Sequence, residues 1–233
     1  SRETVSRACR RVLGRVCSVR LQVPLIGEAM NYQDIRYNDR EQLDIKRAAV
    51  PNETQLRNIF KSCKGMRYPK RNTLIIALSY YSGLRCSEIA ALRVQDVFDR
   101  NLDPRGSCVI KGKGGKKREI YLNAKPIYKA LIEYQNYRLD LKCKSDDLFL
   151  NQSLKSFSAM GMNKVMKQIH KAANMSHCSS HSGRRYFISK VIYKTGNIGL
   201  AKQYAGHSDI RTTLLYFEDN PLIKREVAAN IWK

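Results

Sequence analysis

The sequence predicts a mainly helical protein with one small antiparallel β-sheet. From residue 51 onward, apolar residues recur every three or four positions in most segments, which is the spacing of one helix face. In the middle of the chain, two short runs typical of strands flank a glycine-rich stretch, which indicates a β-hairpin. Since 43% of the 233 residues are hydrophobic, there is enough apolar material for a core, and wholesale disorder is excluded.

Capping residues mark the ends of the first helices. Asn52 has the residue type of an N-cap and precedes a helix that carries Leu56, Ile59 and Phe60 on one face. Gly83 ends a second helix over residues 68–82, and a third is predicted over 87–92, with Ser87 as its cap. Apolar spacing predicts further helices over residues 124–139, 158–173, 182–194, 198–205, 210–217 and 222–232.

The stretch from residue 94 to residue 122 is predicted to be extended. Cys108-Val-Ile and Glu119-Ile-Tyr-Leu lie on either side of Gly112-Lys-Gly-Gly. This arrangement predicts a hairpin with Lys113 near its tip.

The pattern also predicts a domain boundary near residue 50. Residues 1–47 are rich in arginine, contain a break at 24–27 and lack a long apolar period, so this segment is too small to fold independently. Residues 48–233 form the larger domain. Its last stretch, from Asn220 to Lys233, is a helical tail that packs either on its own domain or on a neighbouring subunit.

Charge indicates a polyanionic partner. The 43 lysine and arginine residues outnumber the 20 acidic residues, which gives a net charge of +23. Such a field favours nucleic acid or an acidic membrane face. The sequence contains no apolar run of about 18 residues that could cross a bilayer, and we expect no membrane partner. Seven scattered cysteines without Cys-x-x-Cys indicate free thiols in a reducing compartment, which we expect to be the cytoplasm.

Two basic segments carry candidate phosphate-binding groups. Arg85 follows the helix stop at Gly83, where a guanidinium can bind two phosphate oxygens or instead pair with Glu88. The segment from Arg105 to Arg118, with both ends included, contains six basic residues and no acid. This glycine-rich stretch lacks the spacing of a P-loop, and it is either a nucleic-acid contact or a solvated charged turn.

Two later segments carry histidine, arginine and tyrosine. His181 and Arg184 are three residues apart and share the first turn of a predicted helix, where the helix dipole favours an anion. His207 follows Gly206, and Tyr216 lies nine residues later on the next helix. A lone histidine is more often a structural residue, and the arginine on the same helix face makes a phosphate contact of His181 as common as a structural role. Taken alone, Tyr216 is more often core.

Together the four segments resemble the tyrosine recombinase family, also called the phage integrase family. Arg85 within Ser-Gly-Leu-Arg-x-Ser-Glu-Ile matches the family's first catalytic arginine, and Lys113 in Gly-Lys-Gly-Gly-Lys resembles its hairpin lysine. His181 and Arg184 fit the family's His-x-x-Arg. The resemblance covers about residues 50 to 220 and implies the fold of a tyrosine recombinase catalytic domain.

The end of the matching region supplies the expected nucleophile. His207 takes the family's His or Trp position, and Tyr216 in Thr-Thr-Leu-Leu-Tyr falls where the attacking tyrosine is expected. The sequence departs from the family at Gly183 and Ala205, where leucine is usual, and neither change removes a functional group. At the front, residues 1–47 are about half as long as the usual core-binding domain, so we expect a partial core-binding or linker segment and an incomplete DNA clamp.

The resemblance implies site-specific DNA recombination through a 3′-phosphotyrosyl intermediate and a Holliday junction. Arg85 and Arg184 would stabilise the transition state, His181 would act as base, Lys113 as general acid, and His207 as a hydrogen-bond donor. No metal, cofactor or ATP is expected, because the sequence has no transposase-like acidic triad or His/Cys cluster, and the phosphotyrosine conserves the bond energy. Expected DNA contacts are Lys111, Lys116, Lys117, Arg118 and Arg185.

The implied partners are double-stranded DNA with inverted-repeat core sites, a homotetramer on two duplexes, and accessory DNA-bending proteins. The setting would be the nucleoid of a bacterial or phage-infected cell, with a mobile element as one source. Two other interpretations of the sequence stay open. One is a type IB topoisomerase with a similar Tyr, Arg and Lys set, and the other is a basic architectural protein that binds DNA and catalyses no reaction.

Overall fold

The computed structural model describes residues 49–141 and 143–218, and within them the chain is helical apart from one two-stranded sheet. The predicted fold class is confirmed. The elements run in this order: α1 Glu53–Lys64, α2 Pro69–Ser82, α3 Cys86–Ala90, α4 Val94–Val97, β1 Ser107–Lys111, β2 Lys117–Tyr121, α5 Lys125–Asp140, α6 Ala159–Ala172, α7 Ser182–Thr195, α8 Ile198–Ala205 and α9 Arg211–Glu218. The expectations for residues 1–47 and for helix 222–232 fall outside the described residues.

Helix α1 begins where the sequence places it. The Asn52 side chain accepts a hydrogen bond from the backbone N–H of Gln55, and the Gln55 side chain accepts one from the backbone N–H of Asn52. This reciprocal capping box satisfies two N–H groups that a helix start otherwise leaves unpaired. Leu56 and Ile59 are buried as expected, and Phe60 is half-buried.

Helix α2 is the centre of the domain. It is buried on nearly all sides and contacts α1, α5, α6 and α7. One face, with Leu74 and Leu78, packs into a core shared with α5 and the hairpin, while Ile76 and Tyr80 pack into a second core with α1 and α6. Gly83 ends the helix in the left-handed conformation, at a φ of 67°, which glycine adopts without strain.

Helix α7 crosses α2 at Gly183, and the contact leaves no room for a side chain. A Cβ at this position would lie 2.2 Å from Oγ of Ser79 and 2.8 Å from Cδ2 of Tyr80. A side chain at residue 183 would therefore force Ser79 and Tyr80 to shift.

Gly183→Ala is expected to destabilise the domain by about 1–3 kcal/mol, since the added methyl overpacks a closed helix crossing. The matched control is Gly106→Ala, where a Cβ would meet nothing within 4 Å. Urea unfolding measures both variants. A Gly183→Ala protein as stable as the control would contradict this packing argument.

The hairpin forms as predicted, in antiparallel register with Cys108 opposite Ile120 and Ile110 opposite Arg118. Cys108, Ile110 and Ile120 are buried in the core. A single 3₁₀ turn, Lys113–Gly115, joins the strands, so the backbone of Lys113 lies at the tip.

The expectation of extended chain from residue 94 was wrong for the first few residues. Residues Val94–Val97 form the short helix α4. The Asp96 carboxylate accepts a hydrogen bond from the backbone N–H of Arg93 at 2.8 Å, which satisfies a donor at the helix start.

No helix in the described part of the chain is long and apolar enough to cross a membrane.

A buried histidine fixes the contact between α2 and α6. The ring of His170 is fully buried, and its Nε2 lies 3.0 Å from the hydroxyl of Tyr80. Burial, with a smaller contribution from His177, lowers the pKa of His170 from 6.5 to about 4.

Acidification from pH 6.5 to pH 4 is expected to cost about 3 kcal/mol of stability through His170. The unfolded chain takes up this proton near pH 6.5, whereas the folded chain resists it down to about pH 4. The unfolded state therefore binds more protons in this window, and stability is full above pH 6.5 and lost as pH falls. Urea unfolding across this range measures the slope. His170→Gln, which removes this titration, should make the slope smaller, and an unchanged slope would count against the assignment.

Candidate active site

The turn between α2 and α3 presents Arg85. Its backbone N–H donates to Oε2 of Glu88 at 2.7 Å, so the carboxylate caps the start of α3. The predicted cap at Ser87 was wrong, because α3 already begins at Cys86. The Arg85 guanidinium also pairs with Oε1 of Glu88 at 2.7 Å, and its side chain remains 25% exposed. Arg85 is thus held by Glu88 and still open to a ligand.

A second arginine binds the same carboxylate. Both terminal nitrogens of Arg118, on β2, donate to Glu88, at 2.6 Å to Oε1 and 2.8 Å to Oε2. Burial alone would raise the pKa of Glu88, but the hydrogen bonds from Arg118 and from the backbone and side chain of Arg85 outweigh it, so the pKa lies below its ordinary value. The buried carboxylate is therefore ionised and bridges two guanidinium groups.

Sequence reasoning placed Arg118 against DNA and treated Glu88 only as a surface partner of Arg85. The structure places the Arg118 side chain, 9% exposed, inside the domain on Glu88. The sequence contained one indication of this burial. Side chains alternate along a strand, so Arg118 lies on the same face of β2 as the buried Ile120.

Arg184 lies in the first turn of α7 and is 3% exposed. One terminal nitrogen, Nη1, donates to the carbonyl of Gly83 at 2.8 Å, and Nη2 donates to the carbonyl of Ala205. Burial, and next the charge of Arg85, lowers the pKa of Arg184 to about 10, so it remains a cation at neutral pH. Its position joins the ends of α2 and α8 and leaves three N–H groups of the guanidinium for other partners.

His181 stands at the N-cap position of α7, one turn before Arg184, and is exposed to solvent. Desolvation, followed by the charges of Arg184 and Arg85, lowers the pKa of its imidazole. The structure thus brings His181 into the field of both arginines, and the ring is neutral near pH 7.

His207 follows the left-handed Gly206 at the end of α8. Its Nδ1 lies 2.9 Å from the hydroxyl of buried Thr213, a partner that sequence reasoning did not identify. Burial, then the charges of Arg184, Arg85 and Arg118, lowers the pKa of His207 to about 4. The imidazole is neutral, and its Nε2 remains for a second hydrogen bond.

Tyr216, on α9, lies in the same cluster. Its ring stacks on His207, with centroids 5.9 Å apart and planes 21° apart. The guanidinium carbon of Arg185 lies 5.7 Å from the centre of the same ring. Arg185, an expected DNA contact, lies beside this tyrosine. The tyrosine side chain is half-buried rather than sealed in the core.

Comparison with known proteins identifies the family of the chain. The model of the phage integrase family matches residues 51–222. The chain belongs to the phage integrase family. A curated relative, the TnP I resolvase of Bacillus thuringiensis, is 33% identical over 159 residues, which cover 66% of this chain and 51% of the resolvase. The chain spans about half the length of the curated relatives it matches.

Solved structures agree with this integrase-family assignment. The crystal structure of XerA recombinase superposes with a TM-score of 0.68 at 22% identity, covering 79% of this chain and 65% of that one. XerH site-specific recombinase, bound to difH substrate in a pre-cleavage complex, superposes with a TM-score of 0.61 at 26% identity, covering 81% of this chain and 56% of XerH. The predicted tyrosine recombinase catalytic-domain fold is thereby confirmed.

The departures from the family pattern have structural reasons in this integrase-family domain. Gly183, where leucine is usual, fits the closed crossing with α2. Ala205 acts on Arg184 through its backbone carbonyl, so the side chain at this position can vary.

The remaining expected residues lie on the hairpin. Lys111, Lys116 and Lys117 are exposed there, and Lys113 is placed only by its backbone. Among the described residues, no group of three or more His, Cys, Asp or Glu side chains is arranged to hold a metal ion.

Proposed function

We propose that the protein is a site-specific tyrosine recombinase that cuts and rejoins DNA through a 3′-phosphotyrosyl intermediate and a Holliday junction. The observation that carries this proposal is the clustering of Tyr216 and His207 beside the guanidinium groups of Arg184 and Arg85. Integrase-family membership supports it.

In the proposed reaction, the Tyr216 hydroxyl attacks the scissile phosphorus. The new bond joins the tyrosine oxygen to phosphorus, and the bond from phosphorus to the 5′ oxygen breaks. His181, neutral near pH 7, would accept the phenolic proton, and Lys113 would give a proton to the leaving 5′ oxygen. In the second step, the 5′ hydroxyl of another strand attacks the same phosphorus. The new bond joins that 5′ oxygen to phosphorus, the bond from the tyrosine oxygen to phosphorus breaks, and the tyrosine regains its proton.

The cations would stabilise negative charge on the non-bridging phosphate oxygens. Arg85 has a 25% exposed side chain that faces solvent, and Arg184 has three N–H groups that the carbonyls do not use. His207 would donate a hydrogen bond from Nε2 in the tautomer whose Nδ1 accepts one from the Thr213 hydroxyl. All three groups are fixed before DNA arrives, which reduces the reorganisation needed in the transition state.

Double-stranded DNA is the proposed substrate. The exposed hairpin lysines, Lys111, Lys116 and Lys117, and the net charge of +23 suit contacts with the phosphate backbone. The XerH comparison supports this, because that recombinase was solved with its difH substrate. We propose that the catalytic domain begins near residue 48, and that four copies act on paired inverted-repeat sites with accessory DNA-bending proteins at the nucleoid.

The test uses duplexes built on inverted repeats from the DNA that flanks the gene, each with a nick near the cleavage point. A recombinase should form a covalent protein–DNA adduct on a denaturing gel and exchange strands between paired sites. Relaxation of a plasmid without such sites would favour the type IB topoisomerase. Tight, salt-sensitive binding with no adduct under any condition would leave an architectural DNA-binding protein.

A further inference from the structure

Three parts of the candidate site meet at the side chain of Arg118. Its guanidinium holds the carboxylate of Glu88 through two hydrogen bonds of 2.6 and 2.8 Å. Its aliphatic stem packs against Gly206, the residue before His207: a Cβ there would lie 2.9 Å from Cδ and 3.3 Å from Nη1 of Arg118. One side chain therefore touches both the Arg85 turn and the start of the His207 loop.

The same side chain belongs to the hairpin that carries Lys113. Arg118 is paired with Ile110 in the ladder, close to the turn. At the base of that turn, a Cβ on Gly112 would lie 3.6 Å from Nη1 of Arg118 and 3.7 Å from Oε1 of Glu88. The backbone of the hairpin is thus packed directly on the Arg118–Glu88 pair.

We propose that Arg118 is a positioning residue for the reaction, which holds Glu88 so that Glu88 in turn fixes the Arg85 guanidinium beside the scissile phosphate. This rests on the proposed function. A planar fork with two parallel bonds sets the direction of the carboxylate as well as its charge, which a lysine cannot do. Both terminal nitrogens of Arg118 face Glu88, so the side chain acts through the protein rather than on DNA.

The charges around Glu88 explain why Arg118 is needed. Arg85 approaches the carboxylate from its own turn, Arg118 from β2, and Arg184 from α7. Glu88 is 6% exposed, and burial by itself disfavours its ionised form. Removal of Arg118 takes away two of the three hydrogen bonds that guanidinium groups donate to the carboxylate, which then becomes easier to protonate. A protonated Glu88 no longer holds Arg85 by charge.

The experiment compares Arg118→Gln and Arg118→Lys with the intact chain in single-turnover adduct formation on the nicked duplex at saturating protein. Lys129→Gln, an exposed position on α5, is the charge-matched control. We expect Arg118→Gln to slow adduct formation by roughly 10-fold while the Kd for the duplex changes by less than about 2-fold. The rate of adduct formation by Arg118→Lys should lie between those of Arg118→Gln and the intact chain. If Arg118→Gln does not fold, Arg118→Lys alone is compared with the intact chain.

The pH profile adds a readout that a purely structural role would not move. In Arg118→Gln the rate should begin to fall at a higher pH than in the intact chain, because loss of the two Arg118 hydrogen bonds raises the pKa of Glu88. The intact chain and the control should share one profile. An identical profile in Arg118→Gln would contradict the role assigned to Glu88.

A double-mutant cycle completes the test. If Arg118 acts through Arg85, then adding Arg118→Gln to Arg85→Ala should slow adduct formation by less than about 2-fold further. A weaker Kd with an unchanged rate would make Arg118 a DNA contact and would overturn the inference. Losses in the rate of adduct formation that add up in the double variant would also overturn it. Adduct formation by the intact chain with no loss in Arg118→Gln overturns the inference alone. No adduct from the intact chain overturns the proposed function and this inference together.

Discussion

Tyr216→Phe is expected to abolish the covalent protein–DNA adduct, a loss of at least about 10³-fold, because phenylalanine has no oxygen to attack phosphorus. The contacts that position the ring do not involve the hydroxyl: it stacks on His207 and lies against the Arg185 guanidinium. Folding and DNA binding should therefore be retained. A denaturing gel of the nicked-duplex reaction detects the adduct, and a gel-shift assay measures binding.

Tyr204→Phe provides the matched control. Tyr204 is a half-buried tyrosine on the neighbouring α8, and its ring contacts Tyr121 and Phe187 instead of the histidine cluster. The control variant should form the adduct at the rate of the intact chain. Persistence of the adduct in Tyr216→Phe would show that another residue is the nucleophile.

Local patterns were sufficient to predict most of the fold. The capping box at Asn52 and Gln55 and the helix stop at Gly83 depend on residues that are neighbours in the chain, so residue type and spacing determine them. The hairpin is equally local, because its two strands flank one turn. The helix α4 was missed because its four residues are too few to show a periodicity, and a single carboxylate, Asp96, starts it.

The candidate site was predicted only in part, since its residues come from elements that are distant in the chain. Motif spacing placed Arg85, Arg184 and Tyr216 on separate turns and helices, and the structure brings these together. Spacing says nothing about a bond across 30 residues, such as that from Arg118 to Glu88. A count of basic residues likewise cannot distinguish a lysine exposed on the hairpin from an arginine whose side chain is turned inward onto a carboxylate.

Arg184→Ala is expected to lower the rate of adduct formation by about 10²-fold or more, because it removes a fixed cation beside the reacting phosphate. It should also lower the free energy of unfolding by about 1–3 kcal/mol, since the carbonyls of Gly83 and Ala205 lose a buried donor. The rate must therefore be measured per folded protein, at a temperature well below the unfolding transition of the variant.

Arg105→Ala separates the two effects of losing Arg184. Arg105 also donates its side chain to backbone carbonyls, those of Gln95 and Phe98, but it lies before β1 and outside the histidine and tyrosine cluster. Both variants should lose stability, and only Arg184→Ala should lose adduct formation per folded molecule. Equal rates in the two variants would mean that Arg184 has only a structural role, which is to hold α7 against the ends of α2 and α8. If only Arg184→Ala loses adduct formation and its DNA affinity is kept, the same guanidinium both joins α7 to the ends of α2 and α8 and stabilises the transition state.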